Sequence, residues 1–190
     1  KIKKKMGIKG LLPQLTSIIK KVHIREFKGN TVGIDSLSWL HKGSYACARE
    51  ICMDNDASKC INYCLKRIEM LEQYGIKVKM VFDGCSQPMK SKTEGGRHEK
   101  RRANLELGIQ LYNEGDILGS EKAFQKAVSI SSDIIYQLIV QLNLRNIDYI
   151  VAPYEADSQL AYLNNNGLID LVITEDGDMI TFGCKKLLFK

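Results

Sequence analysis

The amino-acid sequence predicts an α/β fold, in which a mostly parallel central β-sheet is flanked by helices. Four short runs predict strands, at residues 31–34, 77–82, 149–152 and 171–174, and the last two have the apolar composition of buried strands. Stretches with helical periodicity separate these runs, which is the order expected of a parallel sheet built from βαβ units. Acidic residues directly follow the runs. Because the carboxyl ends of parallel strands meet at one edge, the same pattern predicts where a functional site lies.

The composition is that of an ordinary globular domain. The chain has 190 residues, of which 44% are hydrophobic and 26% are charged, which is enough for one domain with an inserted lobe. No apolar run approaches the ~18 residues needed to span a bilayer, and no segment resembles a signal peptide. We therefore expect a soluble intracellular protein without membrane association, and a monomer because no heptad pattern is present.

The six cysteines show neither the paired spacing of a zinc site nor the secretory context of a disulfide framework. We therefore expect free thiols. Cys60 and Cys64 are four residues apart on one helical face and could share a metal site. No second pair or histidine follows at ligand spacing, so packing in the core is the favoured interpretation.

The first part of the chain predicts a helix and then a strand. The segment MGIKGLL leads into an amphipathic helix expected to run to about Lys21, since Pro13 is tolerated in its first turn. A β-branched strand from Thr31 to Ile34 ends at Asp35, and a further helix follows. Taken alone, Asp35 has an equally good interpretation as the N-cap of that helix.

The next part predicts a helix at 57–74, closed by Gly75, and a strand at 77–82 that runs into Asp83 and Gly84. Asp83 alone is a weak indication of a site, because Asp-Gly is also a common turn. Acidic residues at the ends of several strands of one sheet form a stronger coincidence, since right-handed crossovers bring these ends to the same side.

About 65 residues without a strand pattern separate Asp83 from Tyr149, which is far more than a crossover helix requires. We expect this insertion, at about 86–146, to form a helical lobe over the edge of the sheet. Its second part predicts one long helix from Ser120 to Leu144, in an ordinary helical hairpin. A last strand is predicted from Phe182 to Phe189.

The stretch 148–178 carries the densest set of carboxylates. A strand closed by Pro153 leads to Glu155 and Asp157, which open a helix. The next strand runs into Asp176 and Asp178. Four negative charges at one edge repel one another unless a cation lies among them, and hard oxygen ligands suit Mg²⁺ or Mn²⁺ rather than Zn²⁺.

The net charge of +6 is unevenly distributed. The segment Lys1 to Lys5 carries four positive charges, and Lys90 to Arg102 carries six basic and two acidic residues. Basic segments beside an acidic, metal-binding edge indicate a polyanionic substrate. A solvated charged face is the alternative, and for Lys1 to Lys5 alone we favour a tail of no catalytic significance.

Six segments of the chain match one known pattern, namely MGIKGLL, VGIDSLSWLHKG, VKMVFDGCSQPMKS, EKRRANLELG, VAPYEADSQLAYL and ITEDGDMITFGCKK. They resemble the structure-specific 5′ nucleases, the flap endonuclease superfamily, and most closely its exonuclease 1 branch. The similarity covers Met6 to Lys190. WLHKG and FGCKK favour that branch over flap endonuclease proper. The resemblance implies a PIN-like 5′ nuclease fold, in which the insertion at about 86–146 is a helical arch.

The resemblance also implies roles for individual residues. Two divalent ions, Mg²⁺ or Mn²⁺, are expected to be held for phosphodiester hydrolysis that leaves a 5′-phosphate. The implied metal ligands are Asp35, Asp83, Glu155, Asp157, Asp176 and Asp178. Lys90 and Arg97 match basic residues of the arch that contact the scissile phosphate. His41 stands where the family places a ring that stacks on the 5′ nucleotide, although a surface histidine is the alternative. Further DNA contacts are expected at Gly7, Lys42, Lys100, Arg101 and Arg102.

The implied substrate is DNA with a 5′ flap, a nick or a recessed end, and the implied setting is mismatch repair, resection and replication in the nucleus, together with proteins of those processes. Two alternatives stay open. One is flap endonuclease proper, whose catalytic residues are the same. The other is a non-catalytic module that binds nucleic acid or a protein partner, in which the acidic residues are caps and turns.

The sequence departs from the family pattern in three places. Lys1 to Lys5 precede Met6, which looks like a natural start. Gly95 and Gly96 cost roughly 1 kcal/mol each in a helix, so we expect an arch that is disordered or broken without DNA. The family's seventh carboxylate and its K⁺-binding helix-two-turn-helix are expected beyond Lys190, so we expect residues 1–190 to be a fragment of one nuclease domain with weak or absent activity.

Overall fold

In the computed structural model of the chain, residues 10–85, 91–175 and 177–189 are described, with side chains for all of them except Leu12 and 91–95. The chain divides into two compact units. The sheet unit takes its residues from 1–35, 68–84 and 147–190, and the helical unit takes them from 36–67 and 85–146.

The sheet unit contains the strands β1 (Thr31–Asp35), β2 (Lys77–Phe82), β3 (Asp148–Val151), β4 (Leu171–Thr174) and β5 (Leu187–Phe189). They form one sheet in the order β3-β2-β1-β4-β5, and every neighbouring pair is parallel. The predicted α/β class with a parallel sheet is therefore confirmed. β2 and β4 have the predicted bounds, β3 begins and ends one residue earlier than predicted, and β1 extends one residue further, to Asp35.

Strand β1 lies at the centre of the sheet and is closely covered. Val32 and Ile34 are fully buried, as is typical of β-branched residues in a central parallel strand. A Cβ on Gly33 would lie 2.7 Å from Cδ2 of Leu160. The glycine therefore allows helix α8 (Ala156–Asn165) to pack directly on the strand.

The position of β1 along the sheet is secured by a side chain. Asp170, which precedes β4, accepts a hydrogen bond from the Thr31 backbone N–H at 2.6 Å. Ile34 consequently pairs with Ile173. A slip of one residue would turn every side chain of a strand to the opposite face. This hydrogen bond therefore helps to place Asp35 at the carboxyl edge.

The other helices are α1 (Leu11–Gln14), α2 (Ser36–Ser44), α3 (Ala48–Asp54), α4 (Ser58–Gln73), α5 (Ser91–Asn113), α6 (Ile117–Ala127), α7 (Ser132–Leu144) and α9 (Asp178–Thr181), with 3₁₀ turns at Ile24–Phe27 and Tyr45–Cys47. Within the described part of the chain, no single helix is long and apolar enough to cross a membrane; the pair α6 and α7, bent by 81°, reaches that composition only when both are counted together.

Helices α5 and α6 of the helical unit form the predicted helical hairpin. The chain turns at Gly115, whose φ is +85°, and the Asp116 side chain caps α6 by accepting a hydrogen bond from the Gly119 N–H at 2.9 Å. Gly108 of α5 lies against the Phe124 ring, since a Cβ there would be 2.9 Å from it. The described part of the insertion is thus helical, while its assignment to a single nuclease domain at 1–190 stays a prediction.

The single long helix predicted from Ser120 to Leu144 is wrong, because the chain forms α6 and α7 instead. Val128 ends α6 in an extended conformation, with ψ at 134°. The Ser131 side chain then caps α7 by accepting a hydrogen bond from the Ile134 N–H at 3.3 Å. Serine is favoured at such caps over helix interiors. The apolar pattern continues across the break and therefore did not reveal it.

The N-terminal helix is much shorter than the predicted one, which was expected to reach about Lys21. It ends at Gln14. The Thr16 hydroxyl donates a hydrogen bond to the Pro13 carbonyl oxygen at 3.2 Å, a local bond that competes with helical bonding. The β-branched Ile18 follows and is 70% exposed, so packing does not offset its low helical preference.

The predicted break at Gly95 and Gly96 is also wrong in this structure, because α5 is continuous through both glycines. Two glycines cost about 1 kcal/mol each in a helix. The helix has 23 residues, many of them Arg, Lys, Glu and Leu, which favour helices. Packing along α6 adds further support, so the cost of two glycines does not interrupt the helix.

The last strand is shorter than the predicted one from Phe182 to Phe189. β5 contains only its final three residues. Helix α9 occupies the chain up to Thr181, and Gly183 then adopts a positive φ of +78°. A strand cannot pass through such a turn, because positive φ lies outside the extended region.

Cys60 and Cys64 lie in the core, as the favoured interpretation predicted. Both are fully buried, and the Cys60 thiol donates a hydrogen bond to the Leu40 carbonyl oxygen at 3.1 Å. Burial, with a contribution from Cys47, raises the pKa of Cys60 to about 12, and burial also raises the pKa of Cys64. All six cysteines lie in the described part of the chain and are free thiols, which confirms that prediction.

We predict opposite effects for the same substitution at two glycines of the hairpin. Gly96→Ala adds a methyl group in open space inside a helix, so it should raise the free energy of unfolding by about 1 kcal/mol. A methyl group at Gly115 would also lie in open space, but the backbone φ of +85° at this position strains an alanine. Gly115→Ala should therefore lower the free energy of unfolding by about 1 kcal/mol. Urea unfolding followed by circular dichroism measures both, and changes of the same sign would contradict the prediction.

Candidate metal centre

Neighbouring parallel strands bring carboxylates to one edge of the sheet. Asp35 is the last residue of β1 and pairs with Val81, two residues before Asp83 at the end of β2. Adjacent strands are about 4.8 Å apart. Asp35 is half-buried and Asp83 is exposed. These two predicted ligands therefore follow neighbouring strands at the carboxyl edge of the sheet.

Asp83 is held against the N-terminus of helix α8. Its Oδ1 accepts a hydrogen bond from the Ala156 backbone N–H at 2.7 Å. Glu155 is the N-cap residue of this helix and makes no side-chain capping bond, and Asp157 lies in the first turn. The positive end of a helix dipole favours negative charge. Glu155 and Asp157 thus lie at the N-terminus of α8, and Asp83 is hydrogen-bonded to the backbone of Ala156, the residue between them.

Gly84 is the residue that permits this contact. Its backbone N–H donates to the Tyr154 carbonyl oxygen at 2.6 Å, so the chain after β2 lies directly against the chain after β3. A Cβ at this position would overlap the Ala152 carbonyl oxygen and lie 2.8 Å from that of Pro153. The Asp-Gly pair is therefore more than a turn, because any larger residue would push the two segments apart.

The residues of this edge offer oxygen rather than sulfur. Cys184 lies near Asp157, and its pKa is raised, mainly by burial and further by the Asp157 charge. A thiol that stays protonated is a poor metal ligand. Carboxylate oxygens are the ligands that Mg²⁺ and Mn²⁺ prefer, so the donor chemistry fits a hard divalent cation. Cys184 was not among the predicted site residues, although the FGCKK segment contains it.

The remaining predicted ligands, Asp176 and Asp178, follow β4 in the sequence. Asp178 is half-buried and begins helix α9, whereas Asp176 lies outside the described residues. Within 10–85, 91–175 and 177–189, no three His, Cys, Asp or Glu side chains lie close enough together to hold a metal ion. The edge is thus assembled from carboxylates, and the coordination of two ions by them stays a prediction.

The predicted DNA-binding residues of the helical unit lie on helices α2 and α5. His41 and Lys42 are exposed near the end of α2. Surrounding protein lowers the pKa of His41 by desolvation, and the charge of Arg101 on α5 lowers it further. His41 and Arg101 are therefore neighbours. An uncharged ring near neutral pH is suited to stacking on a base.

The other basic residues of α5 are mostly solvent-facing. Arg97 and Lys100 are exposed. Arg101 is half-buried and donates a hydrogen bond to the Ser129 hydroxyl at 3.2 Å, while Arg102 lies 3.9 Å from Glu106. Arg97 is four residues from Arg101 and so shares its helical face. Lys90 and Gly7, which were predicted to contact the phosphate and the DNA, lie outside the described residues.

Comparisons with known proteins match this architecture along nearly the whole chain. The family model described as the XPG N-terminal domain matches residues 6–104, and that of the XPG I-region matches residues 146–190. Exonuclease 1 of Xenopus laevis is 44% identical over 185 residues, which are 97% of this chain and 25% of that protein. The chain therefore spans about a quarter of the length of this relative.

Two solved structures share the fold. The catalytic core of Rad2 in complex with DNA substrate superposes with a TM-score of 0.69 at 22% identity, covering 97% of this chain and 49% of that one. Flap endonuclease-1 from Methanococcus jannaschii superposes with a TM-score of 0.61 at 19% identity, covering 93% of this chain and 58% of that one. At these identities the likeness concerns the fold alone.

We predict that Gly84→Ala separates Asp83 from helix α8. The added methyl group overlaps a carbonyl oxygen, so the free energy of unfolding should fall by about 2 kcal/mol. The Ala156 amide hydrogen should also exchange faster with solvent, because its acceptor moves away. Gly177→Ala is the matched control, since a Cβ there has its nearest neighbour at 4.0 Å. Equal effects of the two variants, measured by urea unfolding and hydrogen exchange, would contradict this prediction.

The lowered pKa of His41 gives a second prediction. Its ring should titrate below the ordinary value of 6.5 in an NMR experiment. Arg101→Gln removes the repelling charge and should raise this pKa, although desolvation should still keep it below 6.5. Arg102→Gln is the control and should leave it unchanged. Because the folded protein resists protonation of His41, this residue should cost stability as the pH falls below 6.5. A wild-type value at or above 6.5 would refute the interpretation.

Proposed function

Because this chain belongs to the XPG family of structure-specific 5′ nucleases, in its exonuclease 1 branch, we propose that it is the catalytic portion of a DNA nuclease that hydrolyses phosphodiester bonds from a 5′ end. The proposed activity is a 5′ to 3′ exonuclease that also cleaves 5′ flaps and leaves a 5′-phosphate. The observation that carries this proposal is the hydrogen bond between the Asp83 carboxylate, in the first matched region, and the backbone N–H of Ala156 at the N-terminus of α8, in the second.

The carboxyl edge suits two Mg²⁺ or Mn²⁺ ions by its donor chemistry. The residues that would hold them are Asp35, Asp83, Glu155, Asp157, Asp176 and Asp178. Bound there, such ions would supply electrophilic activation of the scissile phosphate and a water of increased acidity.

The protein's own contribution is to orient these carboxylates. One oxygen of Asp83, Oδ1, is held by the Ala156 N–H at 2.7 Å. This bond fixes the direction of the other oxygen, Oδ2, which is the arrangement that outer hydrogen bonds give to metal ligands. The helix terminus also lowers the cost of bringing Asp83, Glu155 and Asp157 together, because its dipole opposes their mutual repulsion.

The helical unit would supply groups that recognise DNA. We propose that Lys90 and Arg97 contact the scissile phosphate and that His41 stacks on the nucleotide at the 5′ end. The exposed position of Arg97 and the lowered pKa of His41 support these roles. Residues proposed to contact the DNA more generally are Gly7, Lys42, Lys100, Arg101 and Arg102.

The DNA substrates would be 5′ flaps, nicks and recessed ends, processed in mismatch repair, resection and replication in the nucleus. Flap endonuclease proper remains the near alternative, and preference for a displaced flap over a recessed end would favour it. The second alternative is a non-catalytic module that binds nucleic acid or a protein partner.

The test uses two substitutions that remove one negative charge each. Asp83→Asn keeps an oxygen that can accept the hydrogen bond from Ala156, so the fold should be retained while the charge is lost. Asp148→Asn removes a charge at the start of β3, where Asp148 lies 3.5 Å from Lys79. Calorimetric titration with Mn²⁺ and cleavage of a 5′-recessed duplex with Mg²⁺ are measured for both variants, in the 190-residue chain and in the full-length protein.

We expect Asp83→Asn to lose Mn²⁺ affinity and to cleave on the order of 100-fold more slowly, because an activating ligand is lost. Asp148→Asn should behave as the wild type. Equal cleavage by Asp83→Asn and the wild type in the full-length protein would contradict the nuclease proposal, and DNA binding without any Mn²⁺ binding would favour the non-catalytic module.

A further inference from the structure

Helix α2 carries His41 and Lys42, two proposed DNA contacts, but it is too short to be stable by itself. It has nine residues, and isolated helices shorter than about 12–15 residues are marginal in water. The positions of both side chains therefore depend on how α2 is held within the helical unit.

The buried face of α2 packs closely on the first part of α4. A Cβ on Gly43 would lie 3.0 Å from the Cys60 carbonyl oxygen and 3.1 Å from the Tyr63 ring. The Cys60 thiol donates to the Leu40 carbonyl oxygen at 3.1 Å. These contacts set the distance between the two helices at the C-terminal end of α2.

Arg67 holds the other end of this interface. Its guanidinium carbon lies 4.6 Å from the centre of the Trp39 ring and 5.4 Å from that of Tyr63. Its Nη1 donates a hydrogen bond to the Tyr63 hydroxyl at 2.7 Å, which fixes the plane of the guanidinium. Trp39 is only 5% exposed, so its position is determined largely by what covers it.

The charge of Arg67 is not part of an ion pair with any described residue. Among the described residues no carboxylate lies within ion-pair distance of it, and its Nε is buried without a hydrogen-bond partner. An unsatisfied buried donor is costly. Arg67 therefore acts through the flat face of its guanidinium rather than through an ion pair. Arginine stacks on aromatic rings in this way, whereas lysine does not.

We propose that Arg67 is a positioning residue for DNA recognition. Its guanidinium covers Trp39, and Trp39 in turn sets the rotation of α2 that presents His41 and Lys42 to solvent. The consequence for DNA binding rests on the proposed function, whereas the consequence for α2 itself does not.

Three variants separate the flat surface of Arg67 from its charge. Arg67→Lys keeps the charge and loses the flat group. Arg67→Phe keeps a flat group and loses the charge. Lys66→Ala removes the charge of an exposed neighbour on the same helix and controls for the loss of one positive charge. Hydrogen exchange of the α2 amides is measured against those of α6, and affinity for a 5′-recessed duplex is measured well below the unfolding temperature.

We expect Arg67→Lys to speed exchange in α2, but not in α6, by about fivefold and to weaken duplex binding by a similar factor, because a lysine ammonium cannot stack flat on the Trp39 ring. Arg67→Phe should leave α2 exchange unchanged and lose no more affinity than Lys66→Ala.

The proposal is overturned if Arg67→Lys matches the wild type in exchange, or if only charge removal weakens binding. Should the wild-type full-length protein fail to bind the duplex, the proposed function fails, while α2 exchange still decides the role of Arg67. If Arg67→Phe does not fold, the comparison of Arg67→Lys with the wild type decides alone.

Discussion

The hydrogen bond from the Ala156 backbone N–H to Asp83 joins residues 73 positions apart and ties the end of β2 to the start of α8. The glycine after Asp83 makes it possible, because no side chain keeps the two segments apart. The described helices α5, α6 and α7 lie between these partners in the sequence. Together with the bond from the Gly84 N–H to the Tyr154 carbonyl oxygen, this contact joins the two ends of that long segment and brings acidic residues of distant parts of the chain to one helix terminus.

Much of the sheet and of its acidic edge could be predicted from the sequence, for a local reason. A strand buried on both faces needs consecutive aliphatic and β-branched residues, so β4 stands out as a run with sharp ends, and so does the second half of β2 from Met80 to Phe82. The acidic residues follow these ends directly. Because all crossovers between parallel strands share one hand, the common edge of Asp35 and Asp83 follows from the order of elements alone.

The features that could not be predicted depend on single contacts. The break between α6 and α7 is made by a Ser131 cap inside an uninterrupted apolar pattern. The early end of α1 involves a threonine hydroxyl bonded to the preceding turn. In the sequence, Arg67 cannot be distinguished from other charged residues of a helix. Only the structure shows that its guanidinium lies against the rings of Trp39 and Tyr63. Contacts between distant residues leave no periodicity to detect.

The distribution of thiols has a practical consequence for solution studies. All six cysteines lie in the described part of the chain, and Cys85 is the exposed one among them. Burial raises the pKa of Cys47, Cys52, Cys60, Cys64 and Cys184, which slows their reaction with alkylating reagents. A maleimide dye added at neutral pH should therefore mark Cys85 first, without mutagenesis of the others, and would place a fluorescent reporter two residues after Asp83 in the chain.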